Sequence, residues 1–141
     1  MEIVFPRESE RVTVGSTDFS FLDVKTVVDK FYRKVATDPV LQVPFRSVED
    51  WPHHIERLTH FWWARFGGEP YIDTTYNPAA KHFLAGFNEE FLARWLALFK
   101  ETLSSTLEPE QAELWGIIAD RMGGALLAKD QMMRGMIPTK R

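Results

Sequence analysis

Trp51-Pro52-His53-His54-Ile55-Glu56-Arg57-Leu58-Thr59-His60-Phe61-Trp62, running on to Gly67-Gly68, reads as one amphipathic helix. Pro52 belongs in the first turn, where a missing N–H costs nothing, and Asp50 stands where a cap is needed. Trp51, Ile55, Leu58, Phe61, Trp62 and Phe66 recur at three- and four-residue spacing, the mark of one buried stripe. His54 precedes Leu58 by four and shares that stripe. His53 and His60, seven apart, fall to its side.

Two more helices follow. Asn77 is a good cap, Pro78 suits a first helical position and Gly86 can end a short helix with His82 at its middle. The next starts at Asn88, with Glu89 and Glu90 favourably placed against its dipole. Phe91, Trp95, Leu98, Phe99 and Leu103 form its apolar face. All four histidines and four of the five tryptophans therefore lie between Trp51 and Phe99. His54 and His82 sit on separate helices in aromatic surroundings. A neutral imidazole there needs a partner, and an iron porphyrin is one candidate. Two satisfied core histidines are the alternative.

The run Glu49-Asp50-Trp51-Pro52-His53-His54, then Phe61-Trp62, Pro78-Ala79-Ala80-Lys81-His82 and Arg94-Trp95-Leu96-Ala97-Leu98-Phe99, resembles the truncated haemoglobins, most of all their group III. Phe31-Tyr32 and Asp38-Pro39-Val40-Leu41 with Phe45 are similar to the family's early helix and the turn after it. The resemblance covers residues 20 to 130 or so. It implies an all-α, globin-like two-over-two helical sandwich holding one haem b. His82 would be the proximal iron ligand and His54 the distal-helix histidine. Tyr32 and Trp95 would reach the bound ligand, completing a distal, candidate catalytic set. Phe45 would wedge against the porphyrin, with Leu58, Phe61, Trp62 and Phe99 as its apolar contacts. Arg57 and Lys81 flank pocket positions and suit the propionates. The family has a Tyr-x-Gly-x-Pro run before the proximal histidine. Here Tyr71-Ile72-Asp73-Thr74-Thr75-Tyr76-Asn77-Pro78 is slightly longer and lacks the glycine, so either Tyr71 or Tyr76 stands as the residue nearing the haem edge.

The ligand so implied is a diatomic gas: oxygen, nitric oxide or carbon monoxide. Redox chemistry on oxygen, nitric oxide or peroxide would follow from the porphyrin, and an unidentified reductase is the partner such turnover would call on. A haem-free, globin-like helical sensor or binding module is the alternative. A hydrolytic metal site of His53, His54 and His82 has little support, because no His-x-x-x-His or Glu-x-x-His pair occurs.

Composition sets outer bounds. At 141 residues the chain is long enough for one domain and a sizeable core. With 45% hydrophobic residues, including eleven phenylalanines, disorder is not expected over most of it. A net charge of -3 without a basic block argues against nucleic acid as a partner. The chain has no cysteine, which excludes disulfides, thiol catalysis and thioether-linked haem and suits a reducing cytoplasm. No apolar run approaches membrane-spanning length, and no signal peptide is visible.

The remaining segments are expected as follows. Residues 1–17 form an extended arm; Val12-Thr13-Val14 has strand propensity, but no second strand is evident. The globin domain spans 18–135, and 136–141 is a tail that frays from about Met132 onward. Ser20-Phe21-Leu22-Asp23 is capping-box-like, with Phe19 placed to staple onto Val24. That helix runs to Thr37 and buries Val24, Val28, Phe31 and Val35, with Tyr32 on the same side. Asp38-Pro39 stops it, and a short connector carries Phe45. Ser104–Glu108 is a loop and Pro109 opens the last helix, whose inner face is Leu114, Trp115, Ile118, Met122 and Leu126. Gly123-Gly124 at mid-helix costs about 1 kcal/mol per glycine relative to alanine, so a close neighbour or a kink is expected there.

Overall fold

A computed structural model describes residues 4–72 and 88–136. Four long helices carry the described fold: α1 (Phe21–Thr37), α2 (Trp51–Arg65), α3 (Glu89–Thr106) and α4 (Pro109–Met136). α1 packs on α2 and α3 on α4, and the two pairs meet through α1 and α3. This is the globin-like sandwich expected from the sequence. The short Asn77–Gly86 helix, with Tyr76, Lys81 and His82, lies outside the described residues.

The helices begin where side chains can satisfy the orphan N–H groups of a first turn. Ser20 Oγ accepts from the Asp23 N–H at 3.0 Å, and Asp23 Oδ2 accepts from the Ser20 N–H at 2.9 Å, a reciprocal capping box. Asp50 Oδ1 accepts from the His53 N–H at 3.1 Å, and Asn88 Oδ1 from the Phe91 N–H at 2.9 Å. α2 closes on two glycines with different jobs. Gly67 takes φ +98°, which a Cβ disfavours, while Gly68 lies under the Trp63 indole so closely that a Cβ would stand 2.3 Å from the ring.

Residues near the N-terminus depart from the lone arm expected. Arg11–Val14 (β1) and Thr17–Ser20 (β2) pair antiparallel, Val12 opposite Phe19. Gly15 at φ +63° begins the two-residue turn between them. The second strand escapes a sequence reading because Thr17-Asp18-Phe19-Ser20 has one large apolar residue, and it is α1, α2 and α4 that bury it. Phe19 stacks on Phe66 at 5.0 Å and meets Trp115 edge-on at 5.8 Å. Gln111 Nε2 donates to the Asp18 carbonyl at 2.8 Å and Thr17 Oγ1 to Glu110 Oε1 at 3.1 Å, stitching the hairpin to α4.

Two helix ends also move. α3 continues through Ser104 and Ser105 to Thr106, and Thr102 and Ser105 turn their hydroxyls to carbonyls of their own helix, which spares them from ending it. α4 stays helical to Met136, beyond the fraying expected from Met132. Gly123 is explained by a close neighbour, since a Cβ there would meet Leu92 Cδ1 at 2.7 Å; Gly124 faces open space.

Candidate functional site

Two aromatic clusters occupy the junction of α1, α2 and α3. In the first, Tyr32 from α1 meets His54 from α2 edge to face, with ring centroids 5.3 Å apart. Phe45 closes one side, 6.1 Å from Tyr32 and 6.0 Å from His54. Trp51 closes another, 5.6 Å from His54 and 6.2 Å from Phe45. Tyr32 is buried, whereas Phe45 and Trp51 are half-buried. The connector holds Phe45 there through successive turns, with the Phe45 N–H donating to the Leu41 carbonyl at 3.2 Å.

The second cluster stacks inward. Trp95 lies flat on Phe99 at 4.9 Å, and Phe99 flat on Trp62 at 5.8 Å. Trp115 meets both Trp62 and Phe99 edge-on. Fully buried Phe31 joins the clusters, 4.7 Å from Tyr32 and 5.1 Å from Trp95. Each such aromatic pair contributes about 0.5–1.5 kcal/mol beyond its buried area. Leu58 is buried, while Phe61 is half-buried and edge-on to Trp62. Arg57 sits half-buried on α2.

His60 is a correction. It is buried, not set to the side of α2, because Tyr71 covers it with an edge-on ring at 4.8 Å. Its Nε2 has no hydrogen-bond partner among the described residues, and burial pushes its pKa down. Tyr71 is itself held by Phe5 and Phe21, and its phenol is pushed upward by burial first and by the charge of Glu56 second.

A family model described as bacterial-like globin matches residues 20–124. The chain belongs to this family, the truncated haemoglobins. Within it, the globin is 31% identical to group 3 truncated hemoglobin ctb of Campylobacter jejuni over 93 residues, 62% of this chain and 72% of that protein. Its fold is similar to the crystal structure of group III truncated hemoglobin from Campylobacter jejuni, with a TM-score of 0.70 at 25% identity, covering 78% of this chain and 90% of the other. The hairpin strands lie ahead of all but the first residue of the matched region.

The globin's described residues suit a haem's ligand face. Tyr32, His54 and Trp95 carry polar tips among the rings of Phe31, Phe45 and Phe99, of which Phe31 and Phe99 are fully enclosed, and none of these six side chains is a carboxylate. Of the residues named from sequence, Tyr32, Phe45 and His54 come together, and Trp62, Trp95 and Phe99 come together beside them. Sequence reasoning gave no role to Trp63, which is buried against Phe21, or to the Asp38–Arg94 pair that spans α1 and α3. Trp63 lies about 100° round the helix from Trp62, off the stripe read from spacing, so only its bulk and apolarity signalled burial. A charge pair 56 residues apart leaves no signal.

Proposed function

We propose that this globin holds one b-type haem and binds a diatomic ligand beneath Tyr32, His54 and Trp95. The observation that carries the reading is the Tyr32–His54 contact between facing helices, walled by Phe45 and Trp51, in a chain of this family. Haem, when bound, supplies the iron and all the electron chemistry. His82 would be the residue that holds the iron, and a carbonyl or water accepting from its second ring nitrogen would fix the tautomer. Phe45 and Phe61 offer ring surface that is only half-buried, whereas enclosed Trp62 and Phe99 back the wall, with Leu58 beside them. Arg57 and Lys81 would pair with the propionates, and Tyr76 or Tyr71 would near the haem edge.

On the ligand side the chain's own task is donation. Tyr32 offers an O–H and Trp95 an indole N–H, and His54 donates in the right tautomer. Each neutral hydrogen bond is worth about 0.5–1.5 kcal/mol, and 1.4 kcal/mol is tenfold in a rate. Two donors thus slow ligand release by one to two orders of magnitude, roughly. Such retention favours redox chemistry on oxygen, nitric oxide or peroxide, served by a reductase, over transport. Absorption spectra of the oxidised, reduced and carbon monoxide-treated protein test the proposal. A purified protein that takes up no haem and shows no Soret band would leave only a haem-free binding module, and a Soret band that carbon monoxide does not shift would remove the diatomic ligand.

A further inference from the structure

The Asp38 carboxylate is buried, its side chain 4% exposed, and its two oxygens face different elements. Oδ1 accepts from Nε of Arg94 on α3 at 3.0 Å and also from Nη2. Oδ2 accepts from the Leu41 N–H at 2.9 Å and the Val40 N–H at 3.2 Å, at the start of the connector that carries Phe45. Asp38 is also the C-cap of α1, six residues after Tyr32. One carboxylate therefore ties together the elements bearing Tyr32, Phe45 and Trp95, the last adjacent in sequence to Arg94. Arg94 holds the carboxyl below its ordinary range, so the tie is charged at neutral pH.

We infer that Asp38 and Arg94 are positioning residues for the ligand pocket, setting Trp95 and Phe45 relative to Tyr32; the inference rests on the ligand-side reading above. A bidentate guanidinium fixes direction as well as distance, which a lysine ammonium does not. An amide at position 38 would point an N–H donor at Arg94 or at the connector N–H groups, so Asp38→Asn disturbs one side whichever way it turns.

Fluorine NMR on 5-fluorotryptophan-labelled protein, with Trp95 assigned through Trp95→Phe, reads the position of that ring without any ligand. Arg94→Leu should shift and broaden the Trp95 signal while those of Trp63 and Trp115 stay in place, and Arg94→Lys should restore it only in part. In the haem-loaded protein under carbon monoxide, the C–O stretch should move in Arg94→Leu toward its place in Trp95→Phe. All five tryptophan signals shifting together would mean general loosening and overturn the inference. So would a C–O band moved by Trp95→Phe but not by Arg94→Leu, which leaves the ligand-side reading intact. A band unmoved by both Trp95→Phe and Tyr32→Phe sinks that reading and takes this inference with it.

Discussion

The Tyr32 ring stands perpendicular to the His54 imidazole, at 85° and 5.3 Å between centroids, joining α1 to α2 through two side chains that both carry protons. The edge-to-face geometry suits the aromatic quadrupoles and leaves each polar tip at the rim of its ring. In a haem-binding protein the pair would act on one ligand from two helices.

Oxygen dissociation measures that action. Tyr32→Phe and Trp95→Phe each remove one donor and keep most of the ring volume, so each should speed oxygen release by about tenfold. Carbon monoxide, less polar when bound, should respond less. Stopped-flow off-rates unchanged in both variants would make these residues core packing and end the case for a held ligand.

Haem retention should depend on His82. His82→Ala is expected to purify with little haem and without the parent Soret band, while His53→Ala, on the exposed side of α2, should keep both. Full loading of His82→Ala with an unchanged spectrum would assign the axial bond elsewhere.

Haem should also stabilise the fold. A ligand bound only by the native state raises stability by mass action, and apolar surface covered by haem contributes about 25 cal/mol per Å². The loaded protein should melt above the haem-free one in calorimetry. Coincident melting temperatures would mean no specific haem site.

Gly68 and Gly123 should answer an added methyl differently. Gly68→Ala pushes a Cβ into the rigid Trp63 indole and is expected to cost about 1–3 kcal/mol, the range for overpacking. Gly123→Ala meets only the end of the Leu92 side chain, and a gain of about 1 kcal/mol in helix propensity offsets that displacement, leaving a near-neutral change. Urea unfolding of the two variants decides it; equal losses would contradict the packing described around Trp63.

His60 should make stability depend on pH. Burial places its folded-state pKa below the ordinary value near 6.5. Between those two values the unfolded chain binds the extra proton, so stability rises with pH through that window and falls as pH drops from about 6.5 toward the folded value. His60→Gln should flatten this part of the melting profile. A parent profile flat below pH 6.5 would show that His60 takes its proton without loss of the fold.

The sequence by itself determined where four helices begin and most of what they bury, though not His60 or Trp63 on α2. Ser20, Asp50 and Asn88 cap because their side chains reach N–H groups three residues on, and Phe31, Trp62 and Phe99 each stand three or four residues from another apolar residue of their own helix; both signals are local. The run from Trp51 to Phe99 carried the family as well. Tertiary structure alone decided the rest. The second strand is held by partners on α2 and α4, His60 is buried by Tyr71 eleven residues on, and Asp38 finds Arg94 across 56 residues. No periodicity records such contacts, because the energy that fixes them comes from surfaces that meet only after the helices have packed.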